Sequence, residues 1–189
     1  MKSSKIIVAT GNKGKLKEIK QIFKNVEIIS MDEAGFFGDI EETGTSFKEN
    51  ALIKAKTVAD KLNAAVMADD SGLCVHALHG APGIYSARFS GEGEAANRAL
   101  LLKRLHDITD RAAHFECAVC LYFPDGKTVF GEGKTYGRIL QEEIGEAGFG
   151  YDRIFYSNDL NKSFGLASEK EKNSVSHRYR ALCDLLEKL

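Results

Sequence analysis

The stretch "TSFKENALIKAKTVADKL" limits the possible folds of this chain more than any other. Ser46 and Glu49 stand in capping-box spacing at its start, and Phe47, Ala51, Ala55, Val58 and Leu62 recur on one side at helical period. A helix from 47 to 62 must bury that apolar side. The residues that follow, "AAVMAD", read as a strand, so helix and strand alternate here as they do near the start of the chain. There "KIIVAT" reads as a short buried strand and "KGKLKEIKQIFK" as a helix with Leu16, Ile19 and Phe23 on one side. Further on, "SGLCVHAL" either continues the "AAVMAD" strand or pairs with it. "HGAPGIYSARFSGEG" reads as a loop with a Pro82-Gly83 turn, and "EAANRALLLKRLHDI" as a helix with Leu101, Leu105 and Ile108 together. "HFECAVCLYF" and "KTVFGEGKTYGRI", joined by Pro124-Asp125-Gly126, read as a hairpin. "GEAGFGYDRIF" reads as a glycine-rich loop, and "SHRYRALCDLLEKL" as a last helix facing a core with Tyr179, Leu182, Leu186 and Leu189. Alternating elements plus an antiparallel hairpin predict an α/β domain with a mixed sheet.

Length and composition bear on partners. The 189 residues suit one domain, 1–189, and 43% hydrophobic residues supply a sizeable core. With 26 Lys plus Arg against 27 Asp plus Glu, no global charge attracts nucleic acid or an anionic membrane. The apolar run near the start is too short for a secretory segment and nothing approaches a membrane span, so a cytoplasmic protein is expected. Cys74, Cys117, Cys120 and Cys183 are too scattered for a disulfide framework. Cys117 and Cys120 resemble half a zinc site, but strand alternation sends their thiols to opposite faces.

Several polar clusters stand at junctions between elements. "TGNKGK", Thr10-Gly11-Asn12-Lys13-Gly14-Lys15, lies between strand and helix, where backbone N–H groups and two lysines favour an anion; a solvated turn is the plain alternative, and the string is not a Walker A loop. Glu49 has a capping role. Asn50 and Lys54, four apart on one helix face, either present an amide and an ammonium to a ligand or are ordinary helix surface. In "VMADDSGLCV", Asp69 and Asp70 repel each other unless a cation intervenes or one turns away. Their expected place at the end of a strand is where α/β proteins put ligands, which argues against burial. Mg²⁺ would relieve the repulsion, bound by Asp70 and a glutamate from Glu41 and Glu42; an Asx-type turn over Asp69 to Gly72 is the alternative.

"TGNKGK", "GTSFKENALIKA", "ADDSGLCVHALHGAPGIYSARFSG", "GFGYD" and "SHRYRAL", in this order and spacing, resemble the inosine triphosphatase (Ham1-like) family of nucleoside triphosphate pyrophosphatases. The resemblance covers essentially the whole chain. It implies an elongated two-lobed α/β fold, with a central mixed sheet flanked by helices and a nucleotide cleft between the lobes, usually as a homodimer. It also implies hydrolysis of ITP, dITP and XTP to monophosphate and pyrophosphate with Mg²⁺ as cofactor. Carried over, the pattern makes Thr10, Gly11, Asn12, Lys13, Gly14, Lys15 and Lys54 holders of the triphosphate. Asp70 becomes the proton acceptor and a metal ligand together with Glu42, with Glu41 as the alternative to Glu42, and Ser71 lies beside the substrate. Phe149, Gly150, Tyr151, Asp152, Lys172, His177 and Arg178 hold the nucleoside. Arg153 stands where the family usually has proline, which frees φ and restores an N–H, so a less rigid loop is expected. Two other classes compete: a catalytically silent purine-nucleotide sensor, against which Glu42, Lys54 and Asp70 argue, and an interaction protein whose glycine loops are merely turns.

Overall fold

A computed structural model describes residues 5–23 and 26–189. Lys24, at the end of the first expected helix, lies outside the described residues. Among the described residues the seven strands are β1 Lys5–Val8, β2 Glu27–Ser30, β3 Val66–Val75, β4 Ala112–Tyr122, β5 Thr128–Ile139, β6 Phe155–Ser157 and β7 Lys162–Ser163. The helices are α1 Lys13–Ile22, α2 Phe47–Leu62, α3 Glu94–Arg104, α4 Glu169–Val175 and α5 His177–Glu187. The strands form one sheet in the order β2-β1-β3-β4-β5-β6-β7, flanked by helices. β1 pairs parallel with β2 and β3, whereas β6 pairs antiparallel with β5 and β7, so the sheet is mixed as expected. The turn after β4 closes through the Phe123 N–H on Lys127 O and the Gly126 N–H on Phe123 O, which makes β4 and β5 a hairpin.

The chain divides into two compact units: 1–70 with 118–132 and 181–189, and 71–117 with 133–180. In the first, Ala51, Ala55, Val58 and Ala59 of α2 pack with Ile7, Val66, Ala68 and Cys120. Small alanines on that face let a helix approach a sheet of Val and Ile closely. Ser46 caps α2 by accepting from the Glu49 N–H, and Asn63 closes it in the left-handed region at φ 48°. The capping box itself shifts by one residue. Glu49 Oε2 accepts from the Thr45 N–H at 2.7 Å and the Thr45 hydroxyl at 2.9 Å rather than returning to Ser46.

The second unit is built on Leu73, Leu101, Leu105, Phe115, Ile139, Ile154, Phe155 and Phe164. Phe115 and Phe155 meet in a tilted ring pair with centroids 4.7 Å apart. Several local expectations change. β3 continues through Ser71 to Val75, one of the two expected arrangements, but His76–Leu78 and Gly83–Arg88 are 3₁₀ helices inside the expected strand and loop. α3 stops at Arg104, before the expected Ile108, and the glycine-rich loop gives way to a 3₁₀ turn, Asp152–Ile154, and to β6. β2, β6, β7 and α4 had no sequence expectation; they are short, and tertiary pairing rather than periodicity defines them. On α5 the buried stripe is Arg178, Ala181, Leu182 and Leu185, while Leu186 and Leu189 are exposed. The helix is therefore rotated from the expected face, and Arg178 lies on the buried side.

Candidate active site

Polar side chains gather in two clusters, one in each unit. The first gathers around β3. Asp69 and Asp70 lie in the middle of that strand and not at its end, and they are only 1% and 5% exposed. The expectation that they escape burial is therefore corrected, and an Asx turn is ruled out by the extended strand. Burial is tolerated because each carboxylate has partners. Lys15 Nζ lies 3.2 Å from Asp69 Oδ2, and Lys54 Nζ donates to Asp70 Oδ1 at 3.2 Å. Asn50 Nδ2 donates to Asp70 Oδ2 at 3.1 Å.

The helix α2 explains the convergence on Asp70. Asn50 and Lys54 are one turn apart and both buried, so neither is ordinary surface. Lys54 Nζ also donates to Glu42 Oε1 at 2.7 Å, while Glu41 is exposed and joins none of these contacts. Asn50 Oδ1 in turn accepts from the Gly44 N–H at 2.9 Å. A β-carbon on Gly44 would stand 2.7 Å from that oxygen, so a side chain there would crowd the Asn50 amide. Burial drives the Asp70 carboxyl up from its ordinary range, against Lys54 and Lys15, with Glu42 pushing further up and Asn50 down. Burial alone would lower Lys54, yet Asp70, Asp69 and Glu42 together raise it, so its ammonium is secure.

At the start of α1, Asn12 caps the helix by accepting from the Lys15 N–H at 3.1 Å, and Thr10 Oγ1 accepts from the Asn12 N–H. Gly11, Asn12 and Lys13 are exposed, and Gly14 is partly so. Glu42, Asp69 and Asp70 offer hard carboxylate oxygens as metal ligands, and Glu42 and Asp70 already converge on one cation, the Lys54 ammonium. Three carboxylates, Glu42, Asp69 and Asp70, face two ammonium groups, Lys15 and Lys54, which leaves one formal negative charge. That set fits Mg²⁺, which takes one or two carboxylates and completes its shell with water and phosphate oxygens.

The second cluster lies wholly in the other unit. Asp152 Oδ2 accepts from the Phe149 N–H at 2.8 Å and from Lys172 Nζ at 2.7 Å, an ion pair with both side chains buried. The same ammonium lies 4.3 Å from the centre of the Phe149 ring. Gly148 has φ +78°, and a β-carbon there would collide with the Asp152 carboxylate. The Tyr151 hydroxyl donates to Ser86 O at 2.8 Å, and burial pushes that phenol above its usual range. Arg178 Nη2 donates to Ser71 Oγ at 3.0 Å, and the His177 ring stacks on Phe115 with centroids 4.9 Å apart. Arg178 is 1% exposed and His177 is buried too, so neither is a solvated side chain at the start of α5.

Arg153, in the place of the usual proline, is tied down by its side chain. Its Nη2 donates to Glu146 O at 3.1 Å, and Nη1 lies 3.7 Å from Glu143. The sequence reading missed Arg98, whose Nη1 donates to Gly150 O at 2.9 Å and whose Nε donates to Glu143 at 2.7 Å. A signal existed: Arg98 stands three and seven residues before Leu101 and Leu105, on the apolar stripe of α3. Helical spacing marks Asn50 as a possible ligand group, but its contact with Asp70 depends on the fold.

Residues 6–188 match the Ham1 family. The chain is 44% identical to a dITP/XTP pyrophosphatase of Bacillus anthracis, over 97% of this chain and 95% of that one. A solved Ham1 protein of Staphylococcus aureus superposes with a TM-score of 0.88 at 43% identity, over 98% of this chain and 97% of its own. A HAM1 protein of Coxiella burnetii superposes with a TM-score of 0.89 at 35% identity, over 98% and 100%. Match, identity and superposition agree over nearly the full length, and the chain belongs to the Ham1 family.

Proposed function

We propose that the protein hydrolyses non-standard purine nucleoside triphosphates, ITP, dITP and XTP, to the monophosphate and pyrophosphate, with residues 1–189 acting as one pyrophosphatase domain. The observation that carries this is the buried Asp70 carboxylate held by Asn50 and Lys54 beside Glu42. Support comes also from relatives named dITP/XTP pyrophosphatase.

In this reading the triphosphate meets the first cluster. Lys13, Lys15 and the Lys13 and Gly14 N–H groups that open α1, within the Thr10 to Lys15 stretch, hold its β- and γ-phosphates, and Lys54 adds a buried positive charge. Mg²⁺, held by Glu42 and Asp70, would neutralise phosphate charge and make the attacking water more acidic. Asn50 and Lys54 fix the Asp70 carboxylate so that a free lone pair receives the water proton as oxygen attacks the α-phosphorus. No covalent serine step is needed, because Ser71 is engaged by Arg178 rather than by a base.

The nucleoside meets the second cluster. Phe149 offers a ring face, and Lys172 with Asp152 holds the "GFGYD" loop in shape. His177 and Arg178 supply donors that suit an oxygen at C6 of the purine. The protein is taken to work as a cytoplasmic homodimer without nucleic-acid or membrane partners; no helix among the described residues is long and apolar enough to cross a membrane. The test is product analysis with ITP and Mg²⁺. IMP and pyrophosphate are expected, and release of orthophosphate with IDP overturns the arrangement.

A further inference from the structure

A second group of metal-ligating side chains lies on β3 and β4, apart from every residue given to the nucleotide. His114 and Glu116 are two apart on β4, so both leave the strand on one face. Cys74 comes from β3, the neighbouring strand in the sheet. One ligand atom from each of the three lies within 4.8 Å of the other two. His114 Nε2 and Glu116 Oε2 are 3.3 Å apart. That is about the N···O edge, roughly 3.3 Å, of a tetrahedron with metal–donor bonds near 2.0–2.1 Å. Cys74 is buried and the other two are half-buried, so the group is open on one side for water.

We propose that Cys74, His114 and Glu116 form a binding site for a divalent transition metal, Zn²⁺ first, with water as the fourth ligand. The donor set decides the class. A thiolate, an imidazole and a carboxylate suit a borderline-soft ion and not Mg²⁺, which demands oxygen. In the absence of metal the carboxylate is balanced by Lys134, whose Nζ lies 2.9 Å from Glu116 Oε2. Metal binding moves that ammonium off the shared oxygen. Burial, helped by Glu116 and opposed by Lys134, lifts the Cys74 thiol to about 11, so the metal-free sulfur carries its proton. Coordination forms the metal–sulfur bond and releases that proton to solvent, with no electron transferred.

The site stands or falls independently of the nucleotide reading. Chelator-treated full-length protein is titrated with Co²⁺ and then with Zn²⁺. Expected are one thiolate-bound Co²⁺ per chain, seen as a near-ultraviolet charge-transfer band with strong visible bands, bleaching by Zn²⁺, and release of a proton. Cobalt bound only by carboxylates near Asp70 lacks the charge-transfer band and so is told apart. The band vanishes in Cys74→Ser and survives in Cys183→Ser, and affinity falls at least roughly tenfold in His114→Gln. No thiolate band in the parent, or a band that persists in Cys74→Ser, overturns the proposal. If Cys74→Ser fails to fold, unchanged Co²⁺ affinity in both His114→Gln and Glu116→Gln overturns it instead.

Discussion

Asp69 and Asp70 are adjacent in β3, and successive side chains of a strand leave it on opposite sides. Each acidic group meets its own lysine, Lys15 or Lys54. Their roles separate on that basis. Asp70→Asn keeps the shape but removes the proton acceptor, so turnover falls by roughly 10²-fold or more while nucleotide binding survives in part. Asp69→Asn leaves Lys15 without its buried counter-charge and lowers stability by about 1–3 kcal/mol, read from urea midpoints, with the smaller loss of turnover. Equal loss of turnover at unchanged stability in both variants overturns the division. Arg178 bears on selectivity in the same way. An adenine amino group would face donors and leave buried groups unpaired, a mismatch of about 10²-fold or more. Arg178→Ala should therefore narrow the gap in kcat/KM between ITP and ATP; a common factor for ITP, XTP, ATP and GTP removes Arg178 from base readout.

At the scale of elements, α4 shows how a short helix serves the nucleoside cluster. Its capping box joins Ser168 and Glu171, and Lys162 Nζ donates to Glu171 Oε1 at 2.7 Å. One turn inside the helix, Lys172 reaches Asp152. Lys162 first, then the Ser168 N–H and hydroxyl, pull the exposed Glu171 carboxyl from 4.5 to about 2. A depressed carboxyl stabilises the fold above its unfolded value, and that contribution fades as pH falls through the folded value. The advantage of the parent over Glu171→Gln should thus be full above about pH 5 and disappear as pH falls from 4.5 toward about 2, because glutamine keeps the cap but not the charge. Urea midpoints that differ by the same amount at both ends of this range contradict it. Among the helices, α2 was legible because its apolar residues follow one period for its whole length. The face of α5 was not, because the leucines offered two overlapping stripes and burial chose the one with Arg178.

For the molecule as a whole, a native-state ligand raises stability by mass action. An uncleaved ITP analogue with Mg²⁺ at about 100 times its Kd adds about 2.7 kcal/mol, or roughly 5–10 °C in Tm for a chain of this size. A melting temperature unmoved by the analogue argues for a chain whose glycine loops are only turns. The analogue should also slow hydrogen exchange at Phe149 to Asp152, the stretch proposed to hold the nucleoside. Unchanged exchange there overturns that assignment.

By itself the sequence determined the mixed α/β class, the long helix from Phe47, the hairpin after Phe123 and the family, because these rest on periodicity, turn chemistry and ordered short motifs. It also singled out the "TGNKGK", Asp-Asp-Ser-Gly and "GFGYD" stretches as places where polar residues gather. Only the tertiary structure decided that Asp69 and Asp70 are buried mid-strand, that Glu42 and not Glu41 reaches Lys54, and that Asn50 holds Asp70. It alone placed Arg98 on the Gly150 carbonyl and Arg178 on Ser71. The reason is physical: local pattern reports which side of an element is apolar, whereas a buried charge is tolerated only where distant residues supply its partners, and that information lies in the contacts.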